Sequence, residues 1–272
     1  MTLEILICTI NDGIGGVEKM LLARQEGLRY VVSWQQTDGV AREVPKALCR
    51  DDVRVVTMAV GGLSLNRNNA MAHATGDVCV IADDDMTLCA DGLRAVVEKF
   101  EQDPSLDIAT FKYASDCSQK SYPDYEFDLR RFPSGYYVAS IEIAFRRASV
   151  VGKVLFDDHF GIGAPVLAAG EESVFLHDVL SLGMKGRFFP ITIACHNHPT
   201  TAERHGVKME VVMSNGAYLY VAKRHDWMLL RAVLMAWRVS RKGVPFVKAL
   251  RWVTDGIKYA RRVRSHKPPI GH

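Results

Sequence analysis

Paired cysteines are missing from this sequence. Cys8, Cys49, Cys79, Cys89, Cys117 and Cys195 are scattered, and no two form a C-x-x-C pair. That spacing excludes a disulfide framework and fits a reducing compartment. Several stand in apolar runs, where a free cysteine acts as a small hydrophobe. No apolar run reaches membrane-spanning length. The opening Met1-Thr2-Leu3-Glu4-Ile5 lacks the basic start of a signal peptide and passes directly into a strand pattern. Gly13, Gly15 and Gly16 do not make G-x-G-x-x-G, which removes the dinucleotide-binding reading. There is no internal repeat, no low-complexity tract and no recognised nucleic-acid module.

What is present is an ordinary globular composition with lopsided charge. The 272 residues are 48% hydrophobic and 24% charged, enough for one large α/β domain and an appendage. The net charge of +3 conceals an asymmetry: from Lys223 onward there are 13 Lys or Arg against 2 Asp or Glu. The preceding residues keep 21 basic and 29 acidic side chains. This predicts an acidic body over 1–222 and a basic, amphipathic helical tail over 223–272.

Leu3 to Ile10 reads as a first strand, rich in branched residues. A turn follows over Asn11 to Gly16, and Val17 to Leu28 has helical spacing. Arg29 to Trp34 and Val53 to Met58 read as the next strands. Gly61 to Ala70 is a loop entering a helix that ends near Gly76. A helix is expected over Gly92 to Gln102, stopped by Asp103-Pro104, and a strand over Leu106 to Tyr113. Ser115 to Ser134 is polar and aromatic and reads as a mobile loop. Tyr136 to Phe145 is a further strand, Gly170-Glu171-Glu172 opens a helix to about Leu182, and Arg187 to Cys195 is the last strand. Strands alternating with helices across short turns predict a mainly parallel sheet covered on both faces.

The stretch Val78-Cys79-Val80-Ile81-Ala82-Asp83-Asp84-Asp85 organises the rest. A buried strand that runs into three carboxylates must end where charge is tolerated, at the carboxyl edge of an open α/β sheet. Alternation predicts Asp83 and Asp85 on one side and Asp84 on the other. Two carboxylates on one side repel unless a cation lies between them, and hard oxygen ligands suit Mg²⁺ or Mn²⁺. The plain alternative is an acidic loop or helix start.

Five features then follow in order. Leu63-Ser64 and Arg67-Asn68 sit on a loop-to-helix turn, and Asp83-Asp84-Asp85 closes a strand. Phe160-Gly161-Ile162-Gly163-Ala164 forms a glycine-bearing loop, Glu171-Glu172 opens a helix, and a histidine follows the last strand. Together these resemble the family 2 glycosyltransferases over about residues 1–205. The resemblance implies a GT-A, Rossmann-like fold: a central, mostly parallel mixed sheet flanked by helices. It also implies a nucleotide-sugar donor. Asp83, Asp84 and Asp85 would be donor-binding, with the family's D-x-D falling best on Asp83 and Asp85 as the metal ligands. Arg67 and Asn68 would face the nucleotide, and Thr9 and Asn11 would lie under the base. Glu172, with Glu171 beside it, stands where the family has its catalytic base. His198, or else His196, matches the histidine that completes the metal site. The family's usual acidic pair after the second strand is replaced by Ser33-Trp34-Gln35-Gln36. Gln35 offers a base edge both donor and acceptor, so a uridine preference does not carry over.

Sugar transfer from a diphosphate needs cationic help for the leaving group and a base for the acceptor hydroxyl. Asp83, Asp85 and Arg67 answer the first need and Glu172 the second; a single base points to inversion. Against these stand plainer readings. Arg67 can be a surface helix residue, and one of Glu171 and Glu172 can serve the helix dipole alone. Cys195, His196, His198 and His205 match no zinc spacing. His159 reads as a loop histidine, and Tyr122, Tyr125, Tyr136 and Tyr137 as packing.

In the tail, Leu230, Val233, Leu234 and Trp237 share one helical face, and Phe246, Leu250, Val253 and Ile257 another. The expected function is metal-dependent transfer to a saccharide or lipid-linked acceptor. It would take place in the cytoplasm, peripheral on the inner face of the membrane through the tail. A nucleotidyltransferase would need a glycine-rich phosphate loop with a lysine near the first strand, which is absent. A nucleic-acid-binding role rests on charge alone, and no nucleic acid is expected.

Overall fold

The computed structural model describes residues 1–116, 120–196, 207–222 and 227–265. Its strands are β1 (Leu3–Ile10), β2 (Leu28–Gln35), β3 (Val53–Met58), β4 (Val78–Asp83), β5 (Thr87–Leu88), β6 (Ile108–Ala114), β7 (Phe127–Asp128), β8 (Ile143–Arg146) and β9 (Gly186–Cys195). The longer helices are α1 (Leu63–Ala72), α2 (Ala90–Gln102), α3 (Glu171–Ser181), α4 (Met209–Val221), α5 (Met228–Ser240) and α6 (Phe246–Arg264). The strands form one sheet in the order β3-β2-β1-β4-β8-β6-β9-β5, with β7 pairing β9. The long pairings, β1 with β2 and β4 and β2 with β3, are parallel. The short strand β8 is antiparallel to both β4 and β6. The fold is therefore mixed α/β, mostly parallel, with helices beside the sheet.

The chain divides into two compact units. The first holds the described residues of Met1–Gly61, Leu65–Leu155 and Val179–His198, and the second those of Gly62–Ser64, Phe156–Asp178 and Pro199–His272.

The first unit contains the whole sheet. β1, β2 and β4 are largely apolar on both faces and buried except at Ile10, Arg29 and Asp83, as central parallel strands should be. Their side chains pack with Leu93, Val96 and Phe100 of α2. Gly92 lets α2 approach closely, since a Cβ there would stand 2.1 Å from the Thr192 carbonyl oxygen. Glu4 is buried in β1, and its carboxylate accepts the N–H groups of Thr75 (2.5 Å) and Gly76 (2.8 Å). That fixes the turn entering β4 and answers the cost of burying an acid. Burial pushes the Cys8 thiol up to about 12, so it serves as packing.

Three expectations change. Val17 to Leu28 is not a helix: two short turns, Ile14–Val17 and Glu18–Met20, precede extended backbone at Leu21. Val17 and Met20 are buried as the spacing implied, but Gly27 at φ 80° turns the chain into β2 instead. The described part of Ser115 to Ser134 is packed. Tyr122 stacks on Phe188 with ring centroids 6.2 Å apart, and Phe127 on the same ring at 4.8 Å. Lys120 is buried against Glu142, which also accepts from Tyr122 at 2.5 Å. Burial pushes the Glu142 carboxyl up from its usual range, against the pull of Lys120. Of Tyr136 to Phe145 only Ile143 onward is strand, as β8, because Ser140–Glu142 is a tight turn that delivers Glu142 to Lys120.

The second unit is helical. In α4, Gly216 lies against α6, where a Cβ would come 2.3 Å from the Val253 carbonyl oxygen. Gly256 of α6 meets α4 the same way, 2.0 Å from the Met213 carbonyl oxygen. Near the end of α6, Arg264 reaches both Asp178 oxygens (2.8 and 2.7 Å) and Asp157 (3.5 Å). The rings of Phe156 and Phe175 stack 4.1 Å apart beside them. Among the described residues, no helix is long and apolar enough to cross a membrane.

Candidate functional site

The carboxyl ends of β1, β2 and β4 lie side by side in the first unit, with Cys8 opposite Asp83 and Ile10 opposite Gln35. Helix α1 crosses these ends, and its polar residues each address a different strand. Asn66 donates to the Thr9 carbonyl (3.0 Å) on β1. Arg67, fully buried, donates to Asp83 (3.3 Å) on β4 and to Ser140 (2.7 Å). Asn69 donates to Ser33 (2.8 Å) on β2. The Asn66 Oδ1 atom is buried and has no hydrogen-bond partner among the described residues.

β4 ends at Asp83, and Asp84 and Asp85 lie in the turn beyond it. Strand alternation therefore stops short of them, and each carboxylate finds its own partner. Asp83 meets Arg67. Asp84 accepts the Thr9 hydroxyl. Asp85 lies 3.2 Å from His196 Nε2, and the His196 ring meets Tyr113 edge-on. Burial pushes the Asp84 carboxyl up; Thr9 opposes that shift, and the charges of Asp85 and Asp83 add to it. Gly13 makes room, because a Cβ there would stand 2.4 Å from Asp84 Oδ2 and 2.6 Å from Thr9 Oγ1. The neighbouring carboxylates add to burial in raising Asp84, and a hard divalent cation would relieve that added part. Asp83, Asp85 and His196 do not bring three ligand atoms within 4.8 Å of one another in this structure.

The other expected donor contacts are already engaged within the protein. Gln35 is buried and donates to the Val60 carbonyl (2.8 Å). Asn11, at φ 48°, accepts the Thr37 N–H (2.9 Å) through its side chain. The Asn11 carbonyl accepts the Trp34 indole N–H (2.9 Å). A cleft lined by Gln36, Gly39, Val40, Thr57, Met58 and Ala59 opens beside the ends of β2 and β3. Asn68 is half-buried on α1. His198 lies outside the described residues, which leaves His196 as the described histidine of that pair.

In the second unit, Glu171 and Glu172 begin α3 as expected. Glu171 is buried under the glycine loop: Gly161 has φ 97°, and a Cβ there would stand 3.0 Å from the Glu171 carboxylate. Glu172 is half-buried. Ser64 donates to the Phe160 carbonyl (2.7 Å), which ties that loop to the start of α1. Asp157, Asp158 and His159 bring ligand-type atoms within 4.8 Å of one another, the one such group among the described residues. Asp157 is already met by His159 Nδ1 (2.8 Å) and Arg264, so its charge is answered by protein groups. That makes it a structural anchor.

Sequence reading missed Asn66, Asn69, Ser140, Trp34 and Gly13. The run Asn66-Arg67-Asn68-Asn69 was the available signal. A helix with polar side chains facing a buried sheet edge has to spend them on specific partners.

Residues 35–160 match the model of glycosyl transferase family 2. No curated protein matches the chain. Among solved structures, the 1–349 fragment of S. aureus TarS is similar at 14% identity and a TM-score of 0.57, over 97% of this chain and 73% of that one. The same fragment in complex with UDP-GlcNAc matches at 12% identity and 0.57, with the same coverage. A mannosyltransferase, PcManGT of Pyrobaculum calidifontis, in complex with GDP-Man and Mn²⁺, matches at 13% identity and 0.51, over 98% and 75%. The chain spans 44% of the longer TarS chain. At these identities the likeness speaks to the fold.

Proposed function

On the match of residues 35–160 to glycosyl transferase family 2, we propose inverting, metal-dependent transfer of a sugar from a nucleotide diphosphate. The observation that carries this reading is the cluster of Asp83, Asp84 and Asp85 at the sheet edge, with His196 beside Asp85. Asp83, Asp85 and His196 would hold Mg²⁺ or Mn²⁺, with His198 as the alternative histidine. When bound, the cation supplies charge stabilisation to the departing diphosphate. Arg67 holds Asp83 in place and adds positive charge at the same edge. Thr9 and Gly13 fix Asp84, whose carboxylate is then positioned toward the donor side. Thr9, Asn11, Gln35 and Asn68 form the nucleoside side of the site. Gln35 and Asn11 act as framework there, since their amides are engaged by backbone.

Glu172 is the proposed base, taking the proton from the acceptor hydroxyl. Its half-exposed position supports it over Glu171, whose carboxylate is packed under Gly161. The acceptor is a saccharide or a lipid-linked saccharide, and the chain works on the cytoplasmic side, in peripheral contact with a membrane through its C-terminal helices.

The test is donor binding followed by thermal shift, with a panel of nucleotide sugars with and without Mn²⁺ or Mg²⁺. One donor should raise the melting temperature in a metal-dependent way, and Asp85→Asn should abolish that response. An Asp85→Asn variant with unchanged donor affinity and metal response would remove the assignment.

A further inference from the structure

Helix α5 carries its apolar side chains the wrong way round for a packed helix. Small residues face inward: Ala232 and Ala236 are fully buried, with Met235 and Val239 partly buried beside them. Large ones face outward. Leu229 is 77% exposed, Leu230 49%, Leu234 46% and Trp237 50%. Val233 is exposed with them, and Trp227, Phe246 and Val247 extend the apolar surface at the two ends of α5. Helix α6 behaves conventionally, burying Ala249, Val253, Gly256 and Ala260. The two amphipathic helices of the tail are therefore unlike: one packs, the other leaves an apolar stripe bare.

The charge around the stripe identifies its occupant. Arg231 and Arg238 stand two turns apart along one flank of α5, and Arg241 lies over the Trp237 ring at 5.1 Å. Lys242, Lys248 and Arg251 are exposed nearby. The one acid between 227 and 265 is Asp255, already 3.7 Å from both Arg251 and Lys258. A second copy of this chain docked on the same face about a two-fold axis would set these cations against one another. An anionic surface that also accepts apolar side chains complements them, and tryptophan favours its headgroup region.

We propose that the outward face of α5 is a docking surface for an anionic lipid membrane. The proposal deepens the peripheral-membrane part of the reading above and rests on it. Leu229, Leu230, Val233, Leu234 and Trp237 enter the headgroup boundary, while Arg231, Arg238 and Arg241 meet lipid phosphates. The helix lies on the surface and does not cross it.

The experiment is sedimentation of the full chain with phosphatidylglycerol-containing vesicles and with phosphatidylcholine vesicles, without any sugar nucleotide. Binding should appear with the anionic vesicles and weaken with salt. Replacing Arg231→Gln with Arg238→Gln should weaken it about 25-fold, at about fivefold per charge near the surface. Replacing Leu230→Ser with Leu234→Ser should weaken binding at least tenfold, since each leucine loses its apolar burial. Leu230, Leu234 and Arg238 are exposed and Arg231 is half-buried, so both variants should melt as the parent does. A parent chain left in the supernatant with anionic vesicles at low salt overturns the proposal. So does equal binding to both vesicle types, or a parent dimer in light scattering that the serine pair dissociates. Donor-induced thermal shift, measured on the same variants, should be unchanged; its loss in the parent would instead count against the transferase reading.

Discussion

Glu171 and Glu172 differ by one position and by burial, and that difference underlies the proposal of Glu172 as the base. Glu172→Gln keeps the shape and removes the proton acceptor. Donor binding should survive while turnover falls roughly 10²–10⁴-fold; near-normal turnover in a steady-state assay would move the role elsewhere. Lys120 is a second residue whose charged partner is decisive, since its ammonium meets the buried Glu142 carboxylate. Lys120→Met should leave the Glu142 carboxylate buried with no cation beside it and cost about 3–5 kcal/mol in a denaturant melt. The positions of Asp83 and Asp85 at a strand end and of Glu172 at a helix start were legible because motif and order named them; their roles are proposals. Asn66, Ser140 and Lys120 were not. Arg67 meets Ser140, and Lys120 meets Glu142, across separations that no local pattern encodes.

Elements with a clean local period were readable as they stand: β1, β3 and β9, and the start of α3 at Glu171-Glu172. Readings failed where tertiary contact overrode the period. Val17 and Met20 carry helical spacing but belong to short turns, and most of Tyr136 to Phe145 gives up strand geometry so that Glu142 can reach Lys120. Helix α4 had no reading at all, because its burial depends on α6. The crossing of those two helices is set by Gly216 and Gly256, and neither glycine announces its neighbour. Gly256→Ala should force the backbones apart and cost about 1–3 kcal/mol, measured as a shift of the denaturation midpoint at unchanged slope. An unchanged midpoint would mean that the crossing relaxes freely.

At the scale of the molecule, the acidic body and basic tail could be counted directly from the sequence. The composition of the second unit could not, because it gathers Gly62–Ser64, Phe156–Asp178 and the described helices beyond residue 207. Arg264 fastens that gathering, and it lies 86 residues after Asp178. Ribosomes deliver the chain in order, so Asp157 and Asp178 emerge long before their shared cation. Until Arg264 leaves the exit tunnel, both acids must stay hydrated, since an uncompensated buried charge costs several kcal/mol. The stretch from Phe156 to Asp178 should therefore mature late in synthesis. Nascent chains stalled with Arg264 inside the tunnel should be cut by protease in that stretch, and chains stalled further on should resist. Equal resistance at both stall points would show that the order of emergence has no hold on this unit.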